Sequence, residues 1–259
     1  MSFYNKVVII TGAGSGIGAA TAIAFAKQSA KITIIDINEQ DLNKTAEVCK
    51  TNNKDVLKIV ADLTRDEDIK RIVDDTVAKY GKLDILINCA GIFTIASIES
   101  NNLMKIYDRI LAVNLRSVVA LTNYAVNALI DAKGCVVNIC SVAAKLITKS
   151  NLPYSISKAG LMHFTKCTAT ELADKGVRVN SISPGPVKTN IYQYSGLSEK
   201  EINVLKDISV DCTPLGAVIE PEEIAEVVLF LSSEKAKSIT GSDYLIDGGM
   251  LLKGLVSLR

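Results

Sequence analysis

The sequence lacks the residues on which several kinds of catalytic site depend. His163 is the only histidine among 259 residues, and its place nine residues after Tyr154 is typical of a helix-packing residue. A zinc site built on histidine is therefore not expected. A Ser-His-Asp hydrolase would depend on this one residue, and no GxSxG turn is present to carry its nucleophile.

Charge bias, long apolar runs and paired cysteine motifs are absent too. The 29 basic and 28 acidic side chains nearly cancel, which leaves no electrostatic signature of a nucleic-acid or anionic-membrane partner. No apolar run is long enough to span a bilayer. The first predicted strand starts near residue 6, so we expect no signal peptide and a cytoplasmic protein. The six cysteines form no CxxC pair, and we expect reduced thiols.

Short apolar segments alternate with longer helical patterns along the whole chain. Strands are predicted at 6–11, 31–36, 56–61, 83–88, 135–140, 177–183 and 244–246, and helices at 17–28, 39–52, 66–80, 103–132, 153–175 and 221–232. The strands are apolar on both faces, as strands of a parallel sheet covered by helices must be. The pattern predicts an α/β fold with a doubly wound parallel sheet of about seven strands and helices on both faces.

No linker or internal repeat divides the chain, so we expect one domain over residues 1–259. Residues 190–215 have the weakest pattern and follow the end of a predicted strand. Ligands of such sheets bind beyond the carboxyl ends of the strands. We expect this segment to cover a substrate and to contain some helix.

A glycine-rich turn, TGAGSGIG, joins the first strand to the first helix at residues 11–18. Glycine lets the backbone turn sharply and approach a pyrophosphate, and a helix N-terminus attracts negative charge. Such a turn also serves helix–sheet packing alone. Its place between a strand and a helix favours dinucleotide binding.

Asp36 ends the second predicted strand, 18 residues after Gly18. A carboxylate at this position can accept hydrogen bonds from the adenosine ribose hydroxyls and would repel a 2′-phosphate. Ser15, Ile37 and Asn38 offer no cation to hold that phosphate. The alternative is an aspartate that caps the following helix. With the glycine turn, Asp36 favours NAD over NADP.

Ser141, Tyr154 and Lys158 form a second group. Ser141 follows the fifth predicted strand, and Tyr154 and Lys158 lie four residues apart on one face of the next helix. A phenol is a weak base at neutral pH, and a neighbouring ammonium group favours the phenolate. We therefore expect Lys158 to lower the pKa of Tyr154 and fit it for proton transfer.

These motifs together resemble the short-chain dehydrogenase/reductase family in its single-domain form of about 250 residues. TGAGSGIG matches the family's cofactor turn. Ser141 and the pair Tyr154 and Lys158 match the family's catalytic serine and its YxxxK motif. Asn88-Cys89-Ala90-Gly91 resembles NNAG with Cys89 in place of an asparagine, and PGPVKT at 184–189 and DGG at 247–249 match two further motifs. The resemblance implies a Rossmann-type fold and the catalytic residues Ser141, Tyr154, Lys158 and Asn114, the last holding a proton-relay water. It implies that NAD contacts Gly12, Ser15, Gly16, Ile17, Gly18, Asp36, Asp62, Leu63, Asn88, Ala90, Gly91, Tyr154, Lys158, Pro184, Gly185, Val187 and Thr189.

The resemblance implies an NAD(H)-dependent oxidoreductase that interconverts a secondary alcohol and a ketone, and a homo-oligomer, either tetramer or dimer. Asn88, Asn114 and Thr189 could instead have purely structural roles. Two other functions stay open: an NADP-dependent carbonyl or 3-oxoacyl reductase, and a catalytically silent NAD-binding regulatory or scaffold protein. We expect a hydrophobic small-molecule substrate, because the candidate pocket residues are mostly apolar: Ala143, Ala144, Leu146, Ile147, Pro186, Ile191, Tyr192 and Tyr194.

Overall fold

The computed structural model describes residues 2–52, 55–193 and 195–252. Within them, seven parallel strands form one sheet in the order β3-β2-β1-β4-β5-β6-β7. The strands are β1 Val7–Thr11, β2 Lys31–Asp36, β3 Val56–Val60, β4 Ile85–Asn88, β5 Cys135–Ile139, β6 Arg178–Pro184 and β7 Asp243–Ile246. The predicted α/β fold with a doubly wound parallel sheet is confirmed.

Helices cover both faces of this sheet. They are α1 Gly16–Lys27, α2 Glu39–Asn52, α3 Asp66–Tyr80, α4 Leu103–Leu111, α5 Ser117–Asp131, α6 Leu152–Leu172, α7 Glu199–Asp211 and α8 Pro221–Ser232. No helix in the described ranges is long and apolar enough to cross a membrane.

Strand β1 shows why apolar and polar residues do not alternate along the strands. Val8 and Ile10 pack among α1, α2 and α8, whereas Val7 and Ile9 pack among α3, α5 and α6. Both faces of the strand are therefore buried, and all four side chains have no exposed surface. Each contributes roughly 1.5–3 kcal/mol by leaving water. This burial fixes the sheet rigidly between two helical layers.

The strand order places the binding edge between β1 and β4. The chain runs outward from β1 through β2 to β3 and then crosses back to β4, so a crevice opens where the two directions diverge. The Thr11 hydroxyl at the end of β1 accepts hydrogen bonds from the backbone N–H groups of Cys89 (3.0 Å) and Ala90 (3.1 Å). These bonds hold the glycine turn against the segment that follows β4.

The helix predicted over 103–132 is not regular. Residues Ala112–Arg116 form a π-turn between α4 and α5, which bulges the helix around the fully buried Asn114. The apolar periodicity of the sequence continues across the bulge, so the sequence pattern did not predict the π-turn. In the segment predicted to cover the substrate, α7 supplies the expected helix, begun by a capping box between Ser198 and Glu201.

Candidate active site

A cleft of about 1380 Å³ runs along the carboxyl ends of the strands. Its walls come from the glycine turn and from the segments after β2, β3, β4, β5 and β6. The predicted site residues that line it are Gly12, Ser15, Gly16, Ile17, Gly18, Asp36, Asp62, Leu63, Ala90, Gly91, Ser141, Tyr154, Lys158, Pro184, Gly185, Val187 and Thr189. The fold thus brings together residues that lie up to 177 positions apart in the sequence, from 12 to 189.

The glycine turn is packed too closely against the protein backbone to hold side chains at two of its glycines. Gly12 has a φ of +67°, and a side chain there would come within 2.8 Å of the Ala90 backbone. A side chain at Gly18 would overlap the carbonyl oxygen of Gly12. Ser15, the N-cap of α1, makes no side-chain cap, and the first turn of the helix carries no acidic residue. The N-terminal N–H groups and the positive end of the helix dipole therefore face the cleft without a competing anion.

Asp36 lies where the adenosine end of a dinucleotide would enter. Its carboxylate accepts hydrogen bonds from the backbone N–H groups of Gly14 and Asn38, both at 2.9 Å. These bonds fix the carboxylate at the cleft wall rather than at the start of α2 as a cap. The neighbouring wall residues Ser15, Ile37 and Asn38 are uncharged.

The Ser141 group converges at the other end of the cleft. Ser141 begins a 3₁₀ turn after β5, and its oxygen accepts the N–H of Ala143 at 3.1 Å, which leaves its proton free to donate. Tyr154 is buried near the start of α6 and shares a hydrogen bond with Ser141. The Lys158 ammonium lies 5.7 Å from the centre of the Tyr154 ring and donates to the carbonyl of Ile139 at 2.8 Å.

The predicted lowering of the Tyr154 pKa is wrong for the protein without ligand. Burial raises the pKa of Tyr154 to about 12, although the hydrogen bond with Ser141 acts to lower it. Lys158 does not reverse the shift, because its ammonium points to the Ile139 carbonyl and makes no hydrogen bond to the phenol. Burial also lowers the pKa of Lys158 itself. The phenol therefore carries its proton at neutral pH.

Two predicted site residues lie behind the cleft wall instead of lining it. Asn88 is buried and donates from its amide to Asn138 at 2.8 Å, which ties the end of β4 to β5. The Asn88 side chain therefore has a structural role, and its predicted contact with the cofactor stays a prediction. Asn114 accepts the N–H of Ile92 (2.8 Å) and donates to the Ile92 carbonyl (2.9 Å) and to Ser157 (3.2 Å). It clamps the loop after β4 against α6.

The structure places some of the predicted substrate residues at the cleft and others away from it. Five of its residues line the cleft, namely Ala143, Leu146, Pro186, Ile191 and Tyr192. Ala144 does not, and Ile147 is 93% exposed, so both are corrected. They belong to an irregular segment after β5, where side-chain direction follows no period. Tyr194 lies outside the described residues.

Phe93 is an aromatic wall residue that the sequence analysis missed. Its ring packs edge-on against Tyr154 (5.2 Å between centres) and against Tyr192 (5.3 Å). It therefore links the proton-transfer end of the cleft to the segment after β6. The sequence did hold one indication of this role, because Phe93 lies two residues after Gly91 in the segment that follows a central strand. Further lining residues outside the motifs are Arg109, Thr148, Asn151, Gln193, Val210, Val218 and Met250.

Comparison with known proteins assigns the chain to a family. Residues 12–251 match a family model described as enoyl-(acyl carrier protein) reductase. A short-chain dehydrogenase/reductase of unknown function from Caenorhabditis elegans, solved with cofactor, superposes with a TM-score of 0.91 at 33% identity, covering 98% of this chain and 97% of that one. This chain belongs to the short-chain dehydrogenase/reductase family.

Named enzymes among its relatives act on different substrates. Cyclohexanol dehydrogenase from Acinetobacter sp. (strain SE19) is 35% identical over 97% of both chains. The 3-oxoacyl-[acyl-carrier-protein] reductase of Thermotoga maritima is 34% identical over 97% of this chain and 100% of that protein. As a short-chain dehydrogenase/reductase, the protein is an oxidoreductase of a family that uses a nicotinamide cofactor, NAD or NADP. The described residues contain no cluster of three or more histidine, cysteine, aspartate or glutamate side chains able to hold a metal.

Proposed function

We propose that this protein is an NAD(H)-dependent oxidoreductase that interconverts a secondary alcohol and a ketone on a largely apolar small molecule. The observation that carries this proposal is the convergence at one end of the cleft. Tyr154 and Ser141 share a hydrogen bond there, and the Lys158 ammonium lies 5.7 Å from the phenol ring. The other end of the same cleft is the glycine turn, which fits a dinucleotide.

A nicotinamide cofactor bound along the cleft would supply the hydride chemistry between the alcohol and the ketone. The protein handles the proton. Ser141 would turn its hydroxyl hydrogen from Tyr154 to the reacting oxygen and hold that oxygen beside Tyr154. In reduction, Tyr154 gives its proton to the developing alkoxide, and in oxidation it takes the alcohol proton.

Lys158 uses one of its three N–H bonds on Ile139, which leaves two to hold ribose hydroxyls and a water. Its charge favours the ionised phenol, although the ligand-free site keeps Tyr154 protonated. Asn114 fixes the loop beside Lys158 and, in our proposal, helps to hold the water through which the proton reaches solvent. Its buried amide bonds to Ile92 keep that loop in place.

The proposed cofactor is NAD because Asp36 presents a fixed carboxylate at the adenosine end. Gly12 to Gly18 would hold the pyrophosphate, and Thr189 and the backbone of Pro184-Gly185 the nicotinamide amide. A 2′-phosphate would meet the Asp36 charge with no cation among the adjoining wall residues.

A substrate panel tests this function. Secondary alcohols and ketones of increasing size would be assayed with NAD(H) and NADP(H) by absorbance at the nicotinamide band, with Tyr154→Phe as the matched control. We expect turnover of at least one pair with NAD(H), and loss of about 10³-fold or more of kcat in Tyr154→Phe with NAD affinity nearly unchanged. Nucleotide binding without turnover of any compound would support the scaffold alternative.

A second candidate is NADP-dependent reduction of a 3-oxoacyl thioester. Similarity to the Thermotoga maritima 3-oxoacyl-[acyl-carrier-protein] reductase favours it. The discriminating substrate is an acetoacetyl thioester assayed with both reduced nucleotides. A kcat/KM with NADPH far above that for any simple ketone with NADH would select this alternative.

We also propose that the protein is a homo-oligomer. Several large apolar side chains on α4, α5 and α6 are exposed, among them Met104, Val119, Tyr124 and Ile156. Contiguous apolar surface on neighbouring helices is typical of an interface between copies. Sedimentation velocity at micromolar concentration should give a dimer or tetramer, and a monomer would refute this proposal.

A further inference from the structure

Asn151 carries an unsatisfied side-chain amide at the wall of the cleft. It is the N-cap residue of α6, and its backbone has φ −116° and ψ 19°. Asparagine at a helix N-cap ordinarily has an extended backbone and accepts an N–H from the first turn. Here the backbone is not extended and the side chain makes no such bond. Its Oδ1 atom is buried and has no hydrogen-bond partner among the described residues.

The position of Asn151 is fixed by its neighbours. Its backbone pairs with Ala96 in an isolated parallel bridge, and residues on either side bond to the same alanine: Ala96 donates to Ser150 (2.9 Å) and accepts from Leu152 (3.3 Å). The backbone of Asn151 is therefore held in place at the cleft wall. A buried polar group without a partner is unfavourable, so a ligand atom that gave the Asn151 amide a partner would bind favourably there.

Asn151 is a polar residue among mainly apolar neighbours in the cleft wall. Asn151 lies one helical turn before Tyr154, and nearby wall residues are apolar or aromatic, including Phe93, Leu146 and Tyr192. Thr148 and Gln193 also line the cleft, but both are exposed and retain contact with water. Asn151 is thus a polar wall residue whose side-chain oxygen is covered in the ligand-free cleft and gains a partner when the amide turns toward a bound ligand.

We infer that Asn151 determines substrate specificity by binding a second hydroxyl group of the substrate, distinct from the one that is oxidised. A hydroxyl both donates and accepts, so it satisfies the Asn151 amide whichever of its two polar atoms faces the cleft. The substrate class is then a mainly apolar skeleton with two oxygen substituents, a diol in one direction and a hydroxy ketone in the other. This inference rests on the proposed alcohol–ketone function.

Matched pairs of substrates test the inference. Each secondary alcohol that the wild type oxidises would be compared with its hydroxylated analogues on the same skeleton, for example cyclohexanol with the 1,2-, 1,3- and 1,4-cyclohexanediols. We expect at least one diol to have a kcat/KM about 10-fold or more above that of its parent, since a site built to bind a hydroxyl discriminates against the compound that lacks it.

Two variants separate specificity from structure. Asn151→Leu keeps the size of the side chain and removes its polar atoms, and should bring the diol-to-alcohol ratio to about 1 while the parent alcohol changes by less than about threefold. Asn151→Ala serves the same purpose if the leucine variant does not fold. Ser155→Ala is the control, because the Ser155 hydroxyl is also buried without a partner but does not line the cleft, and it should keep the wild-type ratio.

The outcomes distinguish the two proposals. Turnover of simple alcohols with no preference for any diol, or a preference that persists in Asn151→Leu, overturns the role of Asn151 and leaves the proposed function intact. No turnover of any alcohol or ketone overturns the proposed function and this inference with it.

Discussion

Reversal of cofactor preference by Asp36→Ala with Ile37→Arg is the most direct test of the adenosine end of the cleft. The first change removes the carboxylate that should bind the ribose hydroxyls. The second adds a cation that can pair with a 2′-phosphate. Ile37 is 67% exposed, so a long basic side chain is tolerated there without repacking.

The expected size of the effect follows from two contributions. For NAD, hydrogen bonds to a charged group are worth roughly 1.5–3 kcal/mol each, and water recovers part of the loss, so we expect about 2 kcal/mol. For NADP, like charges about 4 Å apart repel by about 1 kcal/mol in water and about 4 kcal/mol near a protein surface. Because Asp36 is half-buried, we expect its carboxylate to repel a 2′-phosphate by an intermediate energy of about 2 kcal/mol. The weaker binding of NAD and the removed repulsion of NADP should together raise the ratio of kcat/KM for NADP to that for NAD by about 10³-fold.

The assay is the initial rate with each nucleotide at a saturating concentration of one alcohol. Because Asp36 also accepts the N–H groups of Gly14 and Asn38, its removal loosens the turn as well as removing a charge. Asp36→Asn is the matched control, since it retains an acceptor for the turn and lacks the charge. A folded double variant whose cofactor ratio stays within about threefold of the wild type would refute the assignment of Asp36.

Three further predictions concern the glycine turn, the Tyr154 phenol and the Asp243 carboxylate. Gly18→Ala should lower the free energy of unfolding by about 1–3 kcal/mol, because the added carbon overlaps the Gly12 carbonyl; an unchanged urea midpoint would contradict this close packing. Burial raises the pKa of Tyr154 to about 12, so kcat/KM for alcohol oxidation should rise up to tenfold per pH unit above neutral. The kcat/KM for ketone reduction should stay constant until the phenol ionises. A kcat/KM for oxidation that does not change with pH would remove Tyr154 as the base. Asp243 is buried, which raises its pKa, but hydrogen bonds led by that from Lys145 (2.7 Å) outweigh this and hold the pKa below its usual value. Asp243→Asn should therefore destabilise the protein by about 1–3 kcal/mol at pH 7, and the difference should shrink as pH falls through the lowered pKa and the wild-type carboxylate is protonated; a difference independent of pH down to 3 would refute this.

The sequence by itself determined the layered fold and most of the cleft. The first four residues of β1 are all apolar, and only burial on both faces satisfies such a strand. Parallel strands place their carboxyl ends at one edge, so the residues after β1, β2, β5 and β6 had to meet there. This rule brought Gly12, Asp36, Ser141 and Thr189 into one cleft from local patterns alone.

Tertiary structure decided what the local pattern does not encode. The burial of Tyr154 beneath its neighbours raises its pKa and reversed the expected shift, and the position of β5 beneath α6 places the Ile139 carbonyl where it accepts a hydrogen bond from Lys158. The exposure of Ile147 and the unsatisfied amide of Asn151 arise in an irregular segment held by contacts with residues distant in the chain. Hydrophobic periodicity reports which face of an element is buried, but the partner of a buried polar group is set by three-dimensional packing, and there the sequence alone was insufficient.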